Sequence, residues 1–239
     1  IVRNKSFFLF KMFSIYLLNS SMKVGTDGVL LGAWAAQNDS PTSILDVGTG
    51  SGLIALMMSQ RFPKAYIKGI DIHAPSIDDA KQNVENSPFK NHVEMEVSDF
   101  LSFKSDREFD CLVSNPPYFS TALLSKEEDK NRVRHQGHLN MKNFIQNAAK
   151  ILSSKGKIAL ILPTKEMLET IEIAQENHFF VSRICDIMSF ENLDIIRKMV
   201  EFSRLEVVYV VQEKLVIYQS ERVYTEEYKE LTKDFYLNF

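Results

Sequence analysis

The chain has 239 residues, 45% hydrophobic and 25% charged, the proportions of an ordinary globular protein. Its 28 basic and 31 acidic residues leave a net charge of -3, so a polyanionic partner has to be met by a local patch and not by the whole surface. Two cysteines, Cys111 and Cys185, are too few and too far apart for a disulfide framework or a zinc motif, which points to a cytoplasmic setting without metal.

In chain order, residues 7–18 are apolar enough to resemble the core of a signal peptide, but Lys11 interrupts them and no small-residue cleavage site follows. No run of eighteen apolar residues occurs, so no membrane partner is expected. A helix-like stretch begins near Gly28. Residues 44–47 read as a buried strand and 53–60 as the helix after it. Residues 66–70 form a second strand, followed by a helix over 76–86 with Ile77, Ala80 and Val84 on one face. Residues 93–97 alternate with a period of two, and 110–114 make another short strand. Residues 141–152 carry Phe144, Ile145, Ala148, Ile151 and Leu152 on one side, with Gly156 placed as the glycine just beyond a helix end. Residues 158–162 are a near-continuous apolar strand stopped by Pro163.

This alternation predicts an α/β fold, a mostly parallel sheet with helices on both faces. Residues 179–188 and 198–211 then read as two strands with no helix between them, hence antiparallel neighbours. No repeat or low-complexity linker appears, and one domain is expected over 1–239. It divides into an entry segment over 1–40, a sheet core over 41–211 and a tail helix within 212–239.

The first chemical signal is Asp46-Val47-Gly48-Thr49-Gly50-Ser51-Gly52, between a strand and a helix. Gly48, Gly50 and Gly52 permit a tight turn and close approach of a ligand to the backbone, at the carboxyl edge where α/β sheets bind ligands. The dinucleotide spacing G-x-G-x-x-G is not met, because the third glycine arrives one residue early. A helix amino terminus there favours a pyrophosphate or the carboxylate of a methionine moiety. Asp71 and Ile72 end the next strand, where a carboxylate can accept from ribose hydroxyls. Asp99 and Phe100 follow the third strand, near the place of an adenine ring. A glycine turn alone is a common tight connection; with acids after the next two strands it reads as a nucleoside site.

The second signal is Asn115-Pro116-Pro117-Tyr118, directly after the fourth strand. Two prolines remove two backbone donors and fix two φ angles, making a stiff polar corner. The Asn115 side-chain oxygen and the Pro116 carbonyl can accept the two hydrogens of an amine, and Tyr118 can stack on a planar group. An amide or aromatic amine is a weak nucleophile because its lone pair is delocalised. Holding both N–H groups orients it, and orientation with electrostatics supplies most of the rate gain. A turn after a strand is the plainer reading; the position beside the glycine turn favours a corner that transfers methyl from S-adenosylmethionine to a planar exocyclic amine.

The run Met22-Lys23-Val24-Gly25-Thr26-Asp27-Gly28-Val29-Leu30-Leu31-Gly32-Ala33-Trp34 resembles the entry segment of the bacterial valine-tRNA (adenine-37-N6)-methyltransferases. The resemblance continues through the glycine turn, the Asn115 corner, Arg134-His135 and the tail Leu231-Thr232-Lys233-Asp234-Phe235-Tyr236. It implies a class I methyltransferase sheet of seven strands ending in an antiparallel pair, and methylation of adenine N6 beside an anticodon. It also implies that Lys23 and Thr26 lie near the methionine end of the cofactor and that Asp27 caps the helix after it. Residues 16–21 depart from the polar, charged character expected before Met22.

Lys130, Arg132, Arg134 and Lys142 fall in one stretch without an acid, with His135 and His138 among them. Following the corner, this stretch can reach phosphates around an extruded base, although such runs are often solvated loops. Two histidines without further ligands do not make a metal site. The tail helix near 225–235 adds Lys229 and Lys233, or only packs against the sheet. The expected partner is tRNA, met by a monomer. Alternatives are glutamine N5-methylation of release factors, rRNA guanine-N2 methylation, and a non-catalytic cofactor- and RNA-binding module.

Overall fold

The computed structural model describes residues 6–19, 24–116 and 140–238. Its centre is an eight-stranded sheet. β3 (Ser43–Val47), β4 (Tyr66–Asp71), β5 (Val93–Val97), β6 (Phe109–Ser114) and β7 (Leu152–Leu162) run parallel. β9 (Ile195–Ser203) pairs antiparallel with both β7 and β8 (Phe180–Met188), and β10 (Val211–Val216) adds a parallel edge beside β8. The order is β10-β8-β9-β7-β6-β3-β4-β5. The seven strands and the antiparallel pair match the expectation, and an eighth strand is added. Residues 198–211 are therefore not one strand: β9 stops at Ser203, and the sheet extends to Val216 instead of ending at Val211.

Among the described residues the helices are α1 (Thr26–Trp34), α2 (Leu53–Arg61), α3 (Ala74–Glu85), α4 (Met141–Ile151), α5 (Thr164–Glu176) and α6 (Glu226–Thr232). Strand alternation sorts the core into two layers. Ile44, Cys111, Val113, Ala159 and Ile161 face α1, α2 and α3, while Leu45, Leu112, Ile158, Leu160 and Leu162 face α4 and α5. α3 begins two residues before the expected start because Pro75 suits the first turn of a helix. α5 lies where the sequence reading has no element. Pro163 ends β7 and at the same time stands at the N-cap of this helix, which buries only Met167, Thr170 and Ala174.

Gly156 does not cap α4. The helix ends at Ile151 and β7 begins at once, with a register shift between Phe109↔Leu152 and Cys111↔Lys157 that absorbs Gly156. A side chain there would meet Leu152 Cβ at 2.8 Å.

Residues 7–18 form a hairpin, β1 (Ser6–Leu9) and β2 (Ser14–Leu17), docked on the α3 side of the molecule. Among the described residues no helix is long and apolar enough to cross a membrane. The tail is not all helix: β11 (Tyr218–Ser220) and β12 (Val223–Tyr224) make a hairpin before α6. Tyr228 and Phe235 of the tail are buried in the same layer as α1 and α2.

Candidate active site

The parallel strands direct the glycine turn, the end of β4, the end of β5 and Asn115 to one edge. β3 lies between β4 and β6, with Asp46 opposite Gly69 on one side and Val113 on the other. Ser114 Oγ donates to Val47 O at 2.7 Å, tying the root of the Asn115 corner to the root of the turn. Asn115 is partly exposed and Pro116 buried; Pro117 and Tyr118 lie outside the described residues.

The turn is built from left-handed glycines. Gly48, Gly50 and Gly52 have φ of 71°, 54° and 84°, a region that costs an L-residue energy. A Cβ on Gly48 or Gly50 would project into open space, whereas one on Gly52 would press on Met95 at 3.2 Å and Ala80 at 3.4 Å. The first two glycines thus line a cradle, and the third serves packing.

Asp46 is the pivot. It is fully buried; Oδ2 accepts from Thr49 Oγ1 at 2.6 Å and from Ala55 N at 3.0 Å, while Oδ1 has no partner among the described residues. Burial pushes its carboxyl up to about 7, against the lowering effect of the Thr49 and Ala55 bonds, and the nearby Asp71 carboxylate adds to the rise. An orphaned buried acceptor beneath an open glycine cradle suits a ligand that brings a hydrogen-bond donor or positive charge.

Asp71 Oδ2 accepts from Gly50 N at 2.9 Å and Oδ1 from His73 N at 2.8 Å, so the acid shapes the turn. Each oxygen keeps a further acceptor site for a hydroxyl. Ile72, 52% exposed, presents an apolar face beside it. Asp99 is exposed one strand further on, its Oδ1 accepting from Leu101 N. The Phe100 ring is buried against Phe144, centroids 4.9 Å apart, so the ring belongs to the core.

Thr26 starts α1 and is exposed. A Cβ at Gly28 would lie 3.1 Å from Leu53 at the start of α2, which sets the first turn of α1 beside the glycine turn. Asp27 does not cap α1. Gly25 holds the N-cap position without a side-chain cap, and Asp27 pairs instead with Arg197 of β9, Oδ2 to Nε 3.0 Å.

The predicted basic surface is only partly visible. Lys23, Lys130, Arg132, Arg134, His135 and His138 lie outside the described residues. Lys229 and Lys233 are within bonding distance of Glu226 and Glu230 of their own helix, at 2.6 and 2.5 Å. The residues around Lys233 meet Lys11 and the end of α2, through Lys11 Nζ to Lys233 O and Gln60 Nε2 to Asp234 O. That is the opposite edge of the sheet from the glycine turn. A cavity of about 360 Å³ also lies at this far edge, lined in part by Asp39, Thr42, Asp110, Lys157 and Glu201. Two of its acids have partners within the lining and beside it: Asp39 pairs with Lys157 at 2.6 Å, and Asp110 accepts from Thr42 and Ser43.

Sequence reading missed Thr49, which orients Asp46 from three residues away, and missed Asn83 of α3, whose side chain donates to Ser51 O of the turn at 2.9 Å. Asn83 carried a signal: a polar residue on the apolar stripe of an amphipathic helix. Cys111 and Cys185 are buried free thiols; burial pushes Cys185 up to about 12 and Cys111 higher still, so neither is a nucleophile at neutral pH.

A parallel sheet closed by an antiparallel pair, with a glycine turn at its carboxyl edge, is the class I methyltransferase arrangement. Solved structures agree on the fold: a predicted O-methyltransferase from Agrobacterium tumefaciens superposes with a TM-score of 0.69 at 18% identity, over 87% of this chain and 96% of its own. A putative RNA methyltransferase from Pyrococcus horikoshii gives 0.52 at 16%, over 75% and 82%. The methyltransferase small domain model matches residues 24–183. A tRNA1(Val) (adenine(37)-N6)-methyltransferase of Bacteroides thetaiotaomicron is 36% identical over 97% of this chain and 98% of its own length; that of Phocaeicola vulgatus is 39% identical with the same coverage. The chain belongs to this family of methyltransferases. It is an enzyme, and its methyl donor is S-adenosyl-L-methionine.

Proposed function

We propose that the chain methylates N6 of an adenine in tRNA, at position 37 of a valine tRNA, as the names of its full-length relatives state for them. The observation that carries the reading is the placement of Asn115 one strand from the open glycine cradle, in a chain aligned end to end with those relatives. Asp46, Gly48, Gly50, Asp71 and Asp99 would hold S-adenosylmethionine, with Lys23 and Thr26 at its methionine end. Bound there, it supplies an electrophilic methyl group.

The protein's part is orientation. The Asn115 side-chain oxygen and the Pro116 carbonyl accept from the two hydrogens of the exocyclic amine, which turns the nitrogen lone pair toward the methyl. Tyr118 stacks on the base. No strong general base is needed, because nitrogen gives up a proton readily once it has become cationic. An anticodon-loop base is already unpaired, so drawing it out is cheap. Lys130, Arg132, Arg134 and His135 would meet the flanking phosphates.

The test is methyl transfer to total tRNA, release factor and rRNA, followed by mass spectrometry of the modified nucleoside. N6-methyladenosine in tRNA is expected. Labelled release factor or rRNA, or cofactor binding with no transfer to any of the three, would overturn the reading. Asn115→Ala is expected to bind S-adenosylhomocysteine normally and to lose turnover by at least about a hundredfold, the scale of removing one positioned acceptor. Retained turnover would sink the role given to Asn115.

A further inference from the structure

The hairpin β1–β2 is joined to the cofactor turn by one buried amide. Asn83, fully buried on α3, accepts from Tyr16 N through Oδ1 at 2.9 Å. Its Nδ2 donates both to Tyr16 O at 3.1 Å and to Ser51 O at 2.9 Å. The amide thus pairs with both backbone polar groups of a β2 residue, as a neighbouring strand would, and spends its other hydrogen on the glycine turn. One helical turn earlier, Asp79 takes the next stretch of chain: Oδ2 accepts from Leu18 N at 3.0 Å and Asn19 N at 2.8 Å, and Oδ1 from Asn19 Nδ2 at 3.0 Å. Asp79 is 1% exposed.

Neither residue is needed there for apolar packing. α3 buries Ile77, Ala80 and Val84 against the sheet, and Ala80 already sits 3.4 Å from the Cβ position of Gly52. Two polar side chains on this face cost desolvation unless their partners are supplied, and the partners are the hairpin backbone and the turn. Within the stretch that departs from the polar, charged character expected before Met22, Tyr16, Leu18 and Asn19 dock on α3 through their backbone groups.

We propose that Asn83 is a positioning residue of the cofactor site, through which occupancy of the glycine turn is transmitted to β2 and the chain that follows it. A bound cofactor restricts the turn carbonyls, Ser51 O among them. The amide that shares its hydrogens between Ser51 and Tyr16 is then held in one geometry, and the hairpin with it. The proposal rests on the reading that the glycine turn holds the cofactor.

Hydrogen exchange of the whole protein with and without S-adenosylhomocysteine tests it. In the wild type, ligand is expected to slow exchange of residues 48–54 and, by about tenfold, of residues 14–19. In Asn83→Ala, slowing at 48–54 is expected to persist while slowing at 14–19 disappears, with ligand affinity weakened about tenfold. Protection of 48–54 without protection of 14–19 in the wild type would overturn the proposal and leave the cofactor reading standing. Absence of protection at 48–54 would overturn both. Equal ligand-induced protection of 14–19 in wild type and Asn83→Ala would show that the amide carries nothing. Where Asn83→Ala does not fold, Asn83→Asp, which can still accept from Tyr16 N but cannot donate to Ser51 O, is read in the same way.

Discussion

Replacing Asp46 by asparagine separates the cost of this residue to the empty protein from its use in binding. The buried carboxyl ionises near 7 in the folded chain and near 3.8 when unfolded. Its folded pKa is raised, so its contribution to stability is full below pH 3.8 and is lost as pH climbs through 7. At about 1.4 kcal/mol per unit, the loss is roughly 4 kcal/mol in all, of which about 3 falls between pH 5 and pH 8. The amide of Asp46→Asn cannot titrate, so urea denaturation of the ligand-free protein at several pH values should show wild-type stability falling toward the variant by that amount. An asparagine amide facing the site of the orphaned Oδ1 costs about 1–3 kcal/mol at every pH, which leaves the difference between the two pH values intact. S-adenosylmethionine carries one net positive charge and should favour the ionised acid. Wild-type affinity should therefore rise up to about tenfold per pH unit below 7 and level off above, with proton release visible as a buffer-dependent binding enthalpy. The variant should bind weakly and without pH dependence. If the difference in stability between wild type and Asp46→Asn is the same at pH 5 and pH 8, the reasoning is refuted.

Three further outcomes follow from the charge distribution. Arg183, 7% exposed at its side chain, pairs with Glu213 at 3.0 Å, lies 4.0 Å over the Trp34 ring and faces the buried Glu201. Arg183→Met should cost about 3–5 kcal/mol by leaving Glu201 and Glu213 uncompensated, seen as a melting temperature lower by roughly 10 °C with ligand affinity unchanged in the folded protein. Lys229→Ala with Lys233→Ala should leave tRNA affinity and its salt slope nearly unchanged, because both lysines sit beside glutamates of α6 and Lys233 lies at the far edge. Neutralising Lys130, Arg132 and Arg134 should weaken binding and lower the slope by about 3 in filter binding across a salt series. The reverse pattern would move the RNA surface to the tail.

Much of the fold was legible because burial writes its own period. β3 and β6, covered on both faces, read as continuous apolar runs, and Ile77, Ala80 and Val84 give α3 its helical stripe. The gathering of Asp46, Gly48, Gly50, Asp71 and Asn115 at one edge was legible because they sit on strand ends and turns, where local residue types and topology together place a residue. β10, α5 and the hairpin β1–β2 were not. β10 exposes Val211, Gln212 and Lys214 at the sheet edge and is held from a distance, by Glu213 bonding to Trp34 and Arg183. α5 is half solvated, and its single buried stripe is short.

The sequence by itself determined the class of fold and the strand edge that gathers the glycine turn, Asp71 and Asn115, since both depend on local pattern and strand order. Only the tertiary structure decided how Asp46 ionises, that the Phe100 ring packs in the core, that Asp27 pairs with Arg197 and not with the start of α1, and that Asn83 joins the hairpin to the turn. Those outcomes rest on desolvation and on partners 32 to 170 residues away, and neither is expressed in the composition or spacing of neighbouring residues.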